Sequence, residues 1–398
     1  MPTGTSILTR PYFMVTCRAV GENFWLNQAG HRRPRSNRSN MFRGKLLGIA
    51  AAILVLWGVA LESRAEQWTF ELQLGEQRLV GLPVGWSSQQ IALLGRDGRY
   101  WSIDPRRITG YRKLAETFQP YAPAEMRSRL RAEFGPAFDV TTTTHYLVVH
   151  PVGDSQGWAE RFERFYRQFV SYFRIRGWQA QEPQFPLVAV IFPDQTSYLN
   201  YTRRSGLQLP PEVIGYYALD TNRVLMFDMT DLRADGPSAN LQTVFHEAAH
   251  QIAFNTGIHN RLSPPPRWVV EGLGMLFESP ALWDPAVPST LSSRVNRYRL
   301  ERMRRYLVRR PAGALAEFLN SDRLFKTDPD AAYAEAWALS FFLAETRPRQ
   351  YVDFLRRVAG DRPSGTPDAA CLTEFLESFG PNLPLLEAHY LRFLNSLQ

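Results

Sequence analysis

His246-Glu247-Ala248-Ala249-His250 brings together residue types that can bind a metal and do chemistry beside it. At 3.6 residues per turn the two histidines stand one above the other on a helix face, able to offer two imidazole nitrogens to one ion. Glu247 lies three positions before His250 and borders that face, where a carboxylate acts as general base on water at the metal. Val244, Phe245, Ala248, Ala249, Ile252, Ala253 and Phe254 make the helix apolar on nearly every other side. The three ionisable groups therefore point into protein or a narrow cleft, and a cation offsets the cost of burying them. The plainer alternative is a pair of histidines packed in a core.

A catalytic zinc site takes three protein ligands and keeps a fourth position open. A metzincin would place a glycine and a histidine where this chain has Ala253 and Thr256, so that arrangement fails. His259 could complete an all-histidine set, but it lies beyond Gly257 in a segment leading to Pro264-Pro265-Pro266, where nothing constrains its direction. Glu271 is the better choice. It breaks the apolar pattern of a short helix expected from Pro266 to Ser279 and stopped by Pro280, otherwise marked by Trp268, Val269, Leu273, Leu276 and Phe277. Gly272 and Gly274 lower helix propensity there, which predicts close approach to a neighbouring element, and the motif helix is the natural neighbour.

The elements that must position these groups follow from the patterns around them. The motif helix is expected over 240–256, with Gly257 at its C-terminal cap. Before it, Trp68 to Leu74 alternate as a half-buried strand, and Asp97-Gly98 signals a hairpin, so residues 66–112 read as a small β module without an assignable role. A helix over Pro120–Gly135, a strand over Val140–Val149, a helix over 157–176 and a strand over Leu187–Phe192 come next. Strands Ile214–Leu219 and Val224–Phe227 are joined by the turn residues 220–223. From Ser238 onward the pattern is helical. The class is α+β, with a catalytic domain over 113–398 whose sheet part runs to about 237.

The segment from His246 to Pro280 resembles the gluzincin zinc peptidases, in which a glutamate on a second helix completes an HExxH site. HEAAHQIAFNTG followed by PPRWVVEGLGMLFESP looks more narrowly like a bacterial family of exported, peptidase MA-like proteins known as domain-of-unknown-function family 1570. A looser likeness covers Thr143 to Glu345, including Gly215-Tyr216-Tyr217 and the run Tyr333 to Leu343. The resemblance implies a zincin-like fold with the cleft between sheet and helical subdomains. It implies His246, His250 and Glu271 as zinc ligands and Glu247 as catalytic base. It also implies an oxyanion donor from the helical part, for which Tyr333 is the candidate by position, although Tyr333, Trp337 and Phe341 recur as a core stripe would. Tyr216 and Tyr217 are weaker candidates on a strand pair at the cleft edge. Thermolysin-like members carry an aspartate four residues after the glutamate ligand to steady a histidine, whereas this chain has Met275. Glu278 either takes that part or is simply solvated; solvation is the reading we adopt from sequence.

Composition sets the wider frame. The chain has 398 residues, 44% hydrophobic and 21% charged, which excludes a disordered or multi-span membrane protein. Its net charge of +8 sits largely in the first 64 residues, so the body is nearly neutral and gives nucleic-acid binding no support. Phe42, Arg43 and Lys45 precede the apolar run Leu46–Leu61, and Ser63-Arg64-Ala65 offers small residues at the cleavage positions, the layout of a secretory signal peptide. An uncleaved anchor through 46–61 is the alternative, and residues 1–40 read as an over-extended start. Export follows on either reading. Cys371 is the only thiol after the leader, so no intrachain disulfide is expected. Eight arginines between Arg294 and Arg310 read as a solvated helix face, with contact to anionic lipid or cell-wall polymer as the sharper alternative.

The expectation is thus an exported zinc-dependent hydrolase, a peptidase acting on peptide or protein substrates through Glu247. The rival readings are a zincin-fold module without activity that binds a partner or supports the envelope, and an envelope-binding protein whose zinc is only structural. Oligomeric state is left open.

Overall fold

Residues 14–18, 68–153, 157–228, 238–360 and 369–397 are described by the computed structural model of the chain. The expected signal peptide or anchor at 42–65 lies outside them, and among the described residues no helix is long and apolar enough to cross a membrane. The N-terminal β module is an antiparallel sheet of β2 (Trp68–Leu74), β3 (Gln77–Trp86), β4 (Ile91–Leu94), β5 (Tyr100–Ile103) and β6 (Gly110–Thr117), ordered β5-β4-β3-β2-β6. It runs past the expected end at 112, because β6 pairs along β2 as far as Trp68 opposite Thr117. Leu72, Leu79, Ile91, Leu93 and Ile103 fill a small core of its own. The module leans on the main body where the Tyr100 amide donates to the Asp220 carbonyl at 2.6 Å.

The main sheet has the order β1-β10-β11-β9-β8-β7, with β1 (Met14–Arg18), β7 (Phe138–Thr142), β8 (Tyr146–Pro151), β9 (Leu187–Phe192), β10 (Val213–Ala218) and β11 (Arg223–Phe227). β8, β9 and β11 run parallel; β7, β10 and β1 are antiparallel to their neighbours. Residues 14–18, set aside from the sequence reading, thus form the edge strand beside β10. Parallel strands covered on both faces are apolar throughout, as the fully buried Leu187–Phe192 is. On one face α1 (Pro123–Phe134) and α3 (Gln195–Arg204) pack over Leu147, Val149, Val190 and Tyr216; on the other α2 (Trp158–Arg174) and the helical half pack over Tyr146, Val148, Ile191 and Tyr217.

The single strand expected over Val140–Val149 is instead the hairpin β7–β8. Buried Glu163 explains the break: it accepts from Thr143 Oγ1 at 2.8 Å and from the His145 amide at 3.0 Å, and contacts His145 Nδ1 at 2.8 Å. Three bonds from 143–145 to one carboxylate hold a turn against the strand propensity of the threonines.

The helical half opens with α4 (Ser238–Asn255), which ends where Gly257 adopts φ 83°, the left-handed cap that glycine takes without strain. α5 (Arg267–Leu276) follows the three prolines. Then come α6 (Leu291–Arg294), α7 (Arg297–Leu307), α8 (Ala314–Asn320), α9 (Arg323–Thr327), α10 (Pro329–Thr346), α11 (Pro348–Val358), α12 (Ala369–Phe379) and α13 (Leu383–Ser396). The α+β reading, with the sheets ahead of the motif and helices behind it, is the observed architecture. α10 is buried along its length from Ala331 to Ala344, and α5 is sandwiched between it and α4. The two glycines of α5 make this layering possible. A Cβ at Gly272 would meet Ser340 Oγ and stand 2.6 Å from the Ala336 carbonyl of α10, whereas one at Gly274 would stand 2.7 Å from His250 Cε1 and 3.0 Å from His246 Cε1.

The arginine run is solvated only in part: Arg297, Arg304, Arg305 and Arg309 are exposed, whereas Arg299 is buried and most of the run is paired. Arg294 forks onto Glu345 at 2.8 and 2.6 Å, Arg299 reaches Glu278, Arg302 pairs with Asp330, Arg304 donates to the Leu397 carbonyl, Arg309 meets Asp328, and buried Arg310 bridges Glu335 and Glu387. Six arginines are therefore spent on fastening α7 and its flanks to the rest of the fold, and little unpaired charge is left there for an anionic polymer.

Candidate metal centre

Sequence reasoning placed His246, His250 and Glu271 together, and the structure brings them together. His246 Nε2 and His250 Nε2 are 2.9 Å apart, and Glu271 Oε2 lies 3.4 Å from the first and 3.9 Å from the second. A circle through these three atoms has a radius of about 2.0 Å, the length of a zinc–nitrogen or zinc–carboxylate bond. All three residues are at most 1% exposed. Neither oxygen of Glu271 has a hydrogen-bond partner. Buried polar atoms without partners are costly, and a cation held between the three side chains would offset that cost. Two imidazoles and a carboxylate are a donor set that zinc favours, and the residues fit such an ion.

The tautomer of His246 is fixed from outside. Its Nδ1 lies 3.0 Å from Glu278 Oε1, so Nδ1 carries the proton and Nε2 turns its lone pair toward the centre. Glu278 is buried, not solvated as its sequence position suggested; Asn296 Nδ2 donates to it at 2.6 Å and Arg299 Nη2 at 3.3 Å. Burial opposes ionisation of Glu278, but Arg299 and His246 outweigh it and hold the carboxyl down to about 2. Burial likewise disfavours a charged His246, yet Glu271 and Glu278 prevail and push it up to about 10. His250 moves the other way, well below its usual value, through burial and the neighbouring His246 and His259. The two imidazoles are thus shifted in opposite directions by their surroundings.

Glu247, adjacent to His246 on α4, is tied to the main sheet. Its Oε2 accepts from the Tyr217 amide of β10 at 2.8 Å, and its Oε1 is buried without a partner. Burial drives the carboxyl well above its usual range. It heads a stripe at four-residue spacing: Gln251 Nε2 donates to the Val188 and Asn222 carbonyls at 3.0 and 2.8 Å, and Asn255 exchanges bonds with Asn222. The sequence reading missed Gln251 and Asn255, although two polar residues at this spacing on an otherwise apolar helix were the available signal.

The remaining candidates separate cleanly. His259 is buried, with Nδ1 bonded to the Ile258 carbonyl at 2.9 Å, and does not belong to the donor group. Tyr217 spends its hydroxyl on Asn222 at 2.7 Å. Tyr216 faces the opposite side of the sheet, among Met126, Leu130 and Tyr198. Tyr333 is buried in α10, its ring centre 5.9 Å from Arg267 Cζ and 5.7 Å from Arg299 Cζ. Trp337 and Phe341, on the same helix, stack at 5.3 Å as the core stripe predicted.

Residues 240–364 match a protein family of unknown function (DUF1570). The match contains the whole donor set, Glu247, Glu278 and Tyr333, and supports the likeness of the two segments between His246 and Pro280 to domain-of-unknown-function family 1570; it says nothing of the gluzincin likeness. It begins after the main sheet, so the part of the looser likeness from Thr143 to residue 239, with Gly215-Tyr216-Tyr217, lies outside it. A comparison with curated proteins gave no match.

Proposed function

We propose that this chain is a zinc-dependent hydrolase acting on peptide bonds, with His246, His250 and Glu271 as ligands and Glu247 as general base. The observation that carries the reading is the donor triangle, sized for a first-row dication and closed by Glu271, whose oxygens have no hydrogen-bond partner. A bound zinc ion supplies Lewis-acid chemistry, polarising a carbonyl and making water acidic. The other parts belong to the chain. Tyr217 fixes one oxygen of Glu247 through its amide and leaves the other open to take a proton. Burial raises the proton affinity of that carboxyl, which suits a base that must accept a proton from water. Tyr333, set beside two guanidinium groups, is our candidate donor to the oxyanion. The leader at 42–65 supports export to the periplasm or medium, with a membrane anchor through 46–61 as the variant form.

One observation favours a second reading. His246, Glu247, His250 and Glu271 are all shielded from solvent, and a closed site suits a structural ion in a binding protein of the envelope. Glu247→Gln separates the two, because it keeps shape and spares the donor set. For the enzyme, zinc content and melting temperature stay near wild type, while cleavage of unfolded protein substrates falls by roughly 10²- to 10⁴-fold, in step with loss on chelation. A fully zinc-loaded wild type that cleaves nothing across a broad peptide and protein panel would defeat the peptidase reading and leave the structural one.

A further inference from the structure

We infer that Arg299, from the arginine-rich helix α7, is a positioning residue for the metal centre: it holds Glu278, which in turn aims His246, and it packs beside Tyr333. The inference rests on the metal reading above. Glu278 Oε1 is shared between His246 Nδ1 at 3.0 Å and Arg299 Nη2 at 3.3 Å. Its other oxygen accepts from Asn296 Nδ2 at 2.6 Å. Asn296 also caps α7, its Oδ1 accepting from the Arg299 amide at 3.1 Å, so one side chain ties the start of that helix to the carboxylate. Arg299 is itself buried, unlike Arg297, Arg304 and Arg305 on the same helix. Its guanidinium carbon lies 5.7 Å from the Tyr333 ring. A carboxylate with three donors in fixed directions cannot turn without breaking one of them, and that rigidity is passed to the imidazole. Metal–ligand distances tolerate only about 0.2 Å of error, so a loosened Glu278 reaches the ion through His246. The helix whose arginines suggested a polyanion surface is, at this position, an internal support for the site.

The test uses the full chain, stripped by a chelator and titrated with Zn²⁺ in competition with that chelator, and with Co²⁺ for its visible spectrum. Arg299→Met and Glu278→Gln should each weaken Zn²⁺ affinity by about 10- to 100-fold and alter the Co²⁺ spectrum. The double variant should be no weaker than Glu278→Gln alone, since both act through one carboxylate. Arg302→Met, which removes the pairing with Asp330 instead, should leave both readouts at wild type. If Arg299→Met does not fold, Glu278→Gln, which keeps the shape, decides the matter. Wild-type affinity and spectrum in the folded variants, or losses that multiply in the double variant, would overturn the inference. A wild-type chain that takes up no ion would instead overturn the metal reading itself.

Discussion

Gly274→Ala tests whether the donor triangle depends on the layering of α5 against α4. A Cβ there stands 2.7 Å from His250 Cε1, 2.9 Å from His250 Nε2 and 3.0 Å from His246 Cε1. Ordinary carbon contacts begin near 3.4 Å, so His250 must retreat by about 0.7 Å, more than three times the roughly 0.2 Å that a metal bond tolerates. The same methyl gains about 1 kcal/mol in helix propensity, against about 1–3 kcal/mol for overpacking. The metal-free variant should therefore lie between unchanged and about 2 kcal/mol less stable, while its Zn²⁺ affinity falls by at least the 10- to 100-fold seen when a ligand is misaimed. Urea unfolding of the stripped protein gives the first quantity, and chelator competition gives the second. Gly272→Ala provides the contrast. Its Cβ meets the Ala336 backbone, which cannot yield as a side chain can, and should cost about 3 kcal/mol or more with or without metal. If Gly274→Ala binds zinc as tightly as wild type, the imidazoles are not held where the layering argument requires.

Glu271→Ala should abolish stoichiometric zinc, since a three-ligand site cannot spare one, while His259→Ala should retain it; metal analysis of the two purified proteins decides. Gln251→Met, close in volume, leaves the Val188 and Asn222 carbonyls without their donor and should cost about 2–4 kcal/mol in urea unfolding, with zinc stoichiometry unchanged because the ligands lie on another face. For Glu163, burial favours the neutral carboxyl, but bonds from His145 and Thr143 outweigh it and lower the group below its usual value. A carboxyl lowered by folding contributes stability that is complete above its unfolded value and disappears as pH falls through the folded one. The urea midpoint of wild type should therefore drop more steeply than that of Glu163→Gln between about pH 5 and pH 3, and parallel curves would contradict this.

What the sequence disclosed depended on whether a signal was periodic and local. The motif helix, its glycine cap, the apolar strand at 187–192 and the proline-bounded helix carrying Glu271 all have such signals, and the structure shows them near the expected bounds. The hairpin within 138–151 did not, because its turn is held by Glu163, some twenty residues away, against the preference of the residues that form it. Glu278 and the α7 arginines were misread for a related reason. Charge on a helix normally signals solvent, as it does for Arg297, Arg304 and Arg305, and only partners on other elements reveal that Glu278 and Arg299 face inward. A pairing between distant residues leaves no mark in the spacing of either one.

The motif also divides its work between two faces of α4, which its five letters do not show. His246 and His250 point toward α5, where Glu271 and the bare backbone of Gly274 receive them. Glu247 begins a second stripe with Gln251 and Asn255 that points toward the sheet, where backbone groups at Tyr217, Val188 and Asn222 fix it. On the proposed reading, the ligands would be located by the helical half and the base by the sheet half, with α4 as the shared rigid body. Helices and strands locate side chains more closely than loops do, so both sets inherit the precision of the fold. The same division predicts that the proposed base and ligands can be perturbed separately. A change confined to the sheet-facing stripe alters where the proton acceptor sits while leaving the donor triangle intact, and a change at Gly274 does the reverse.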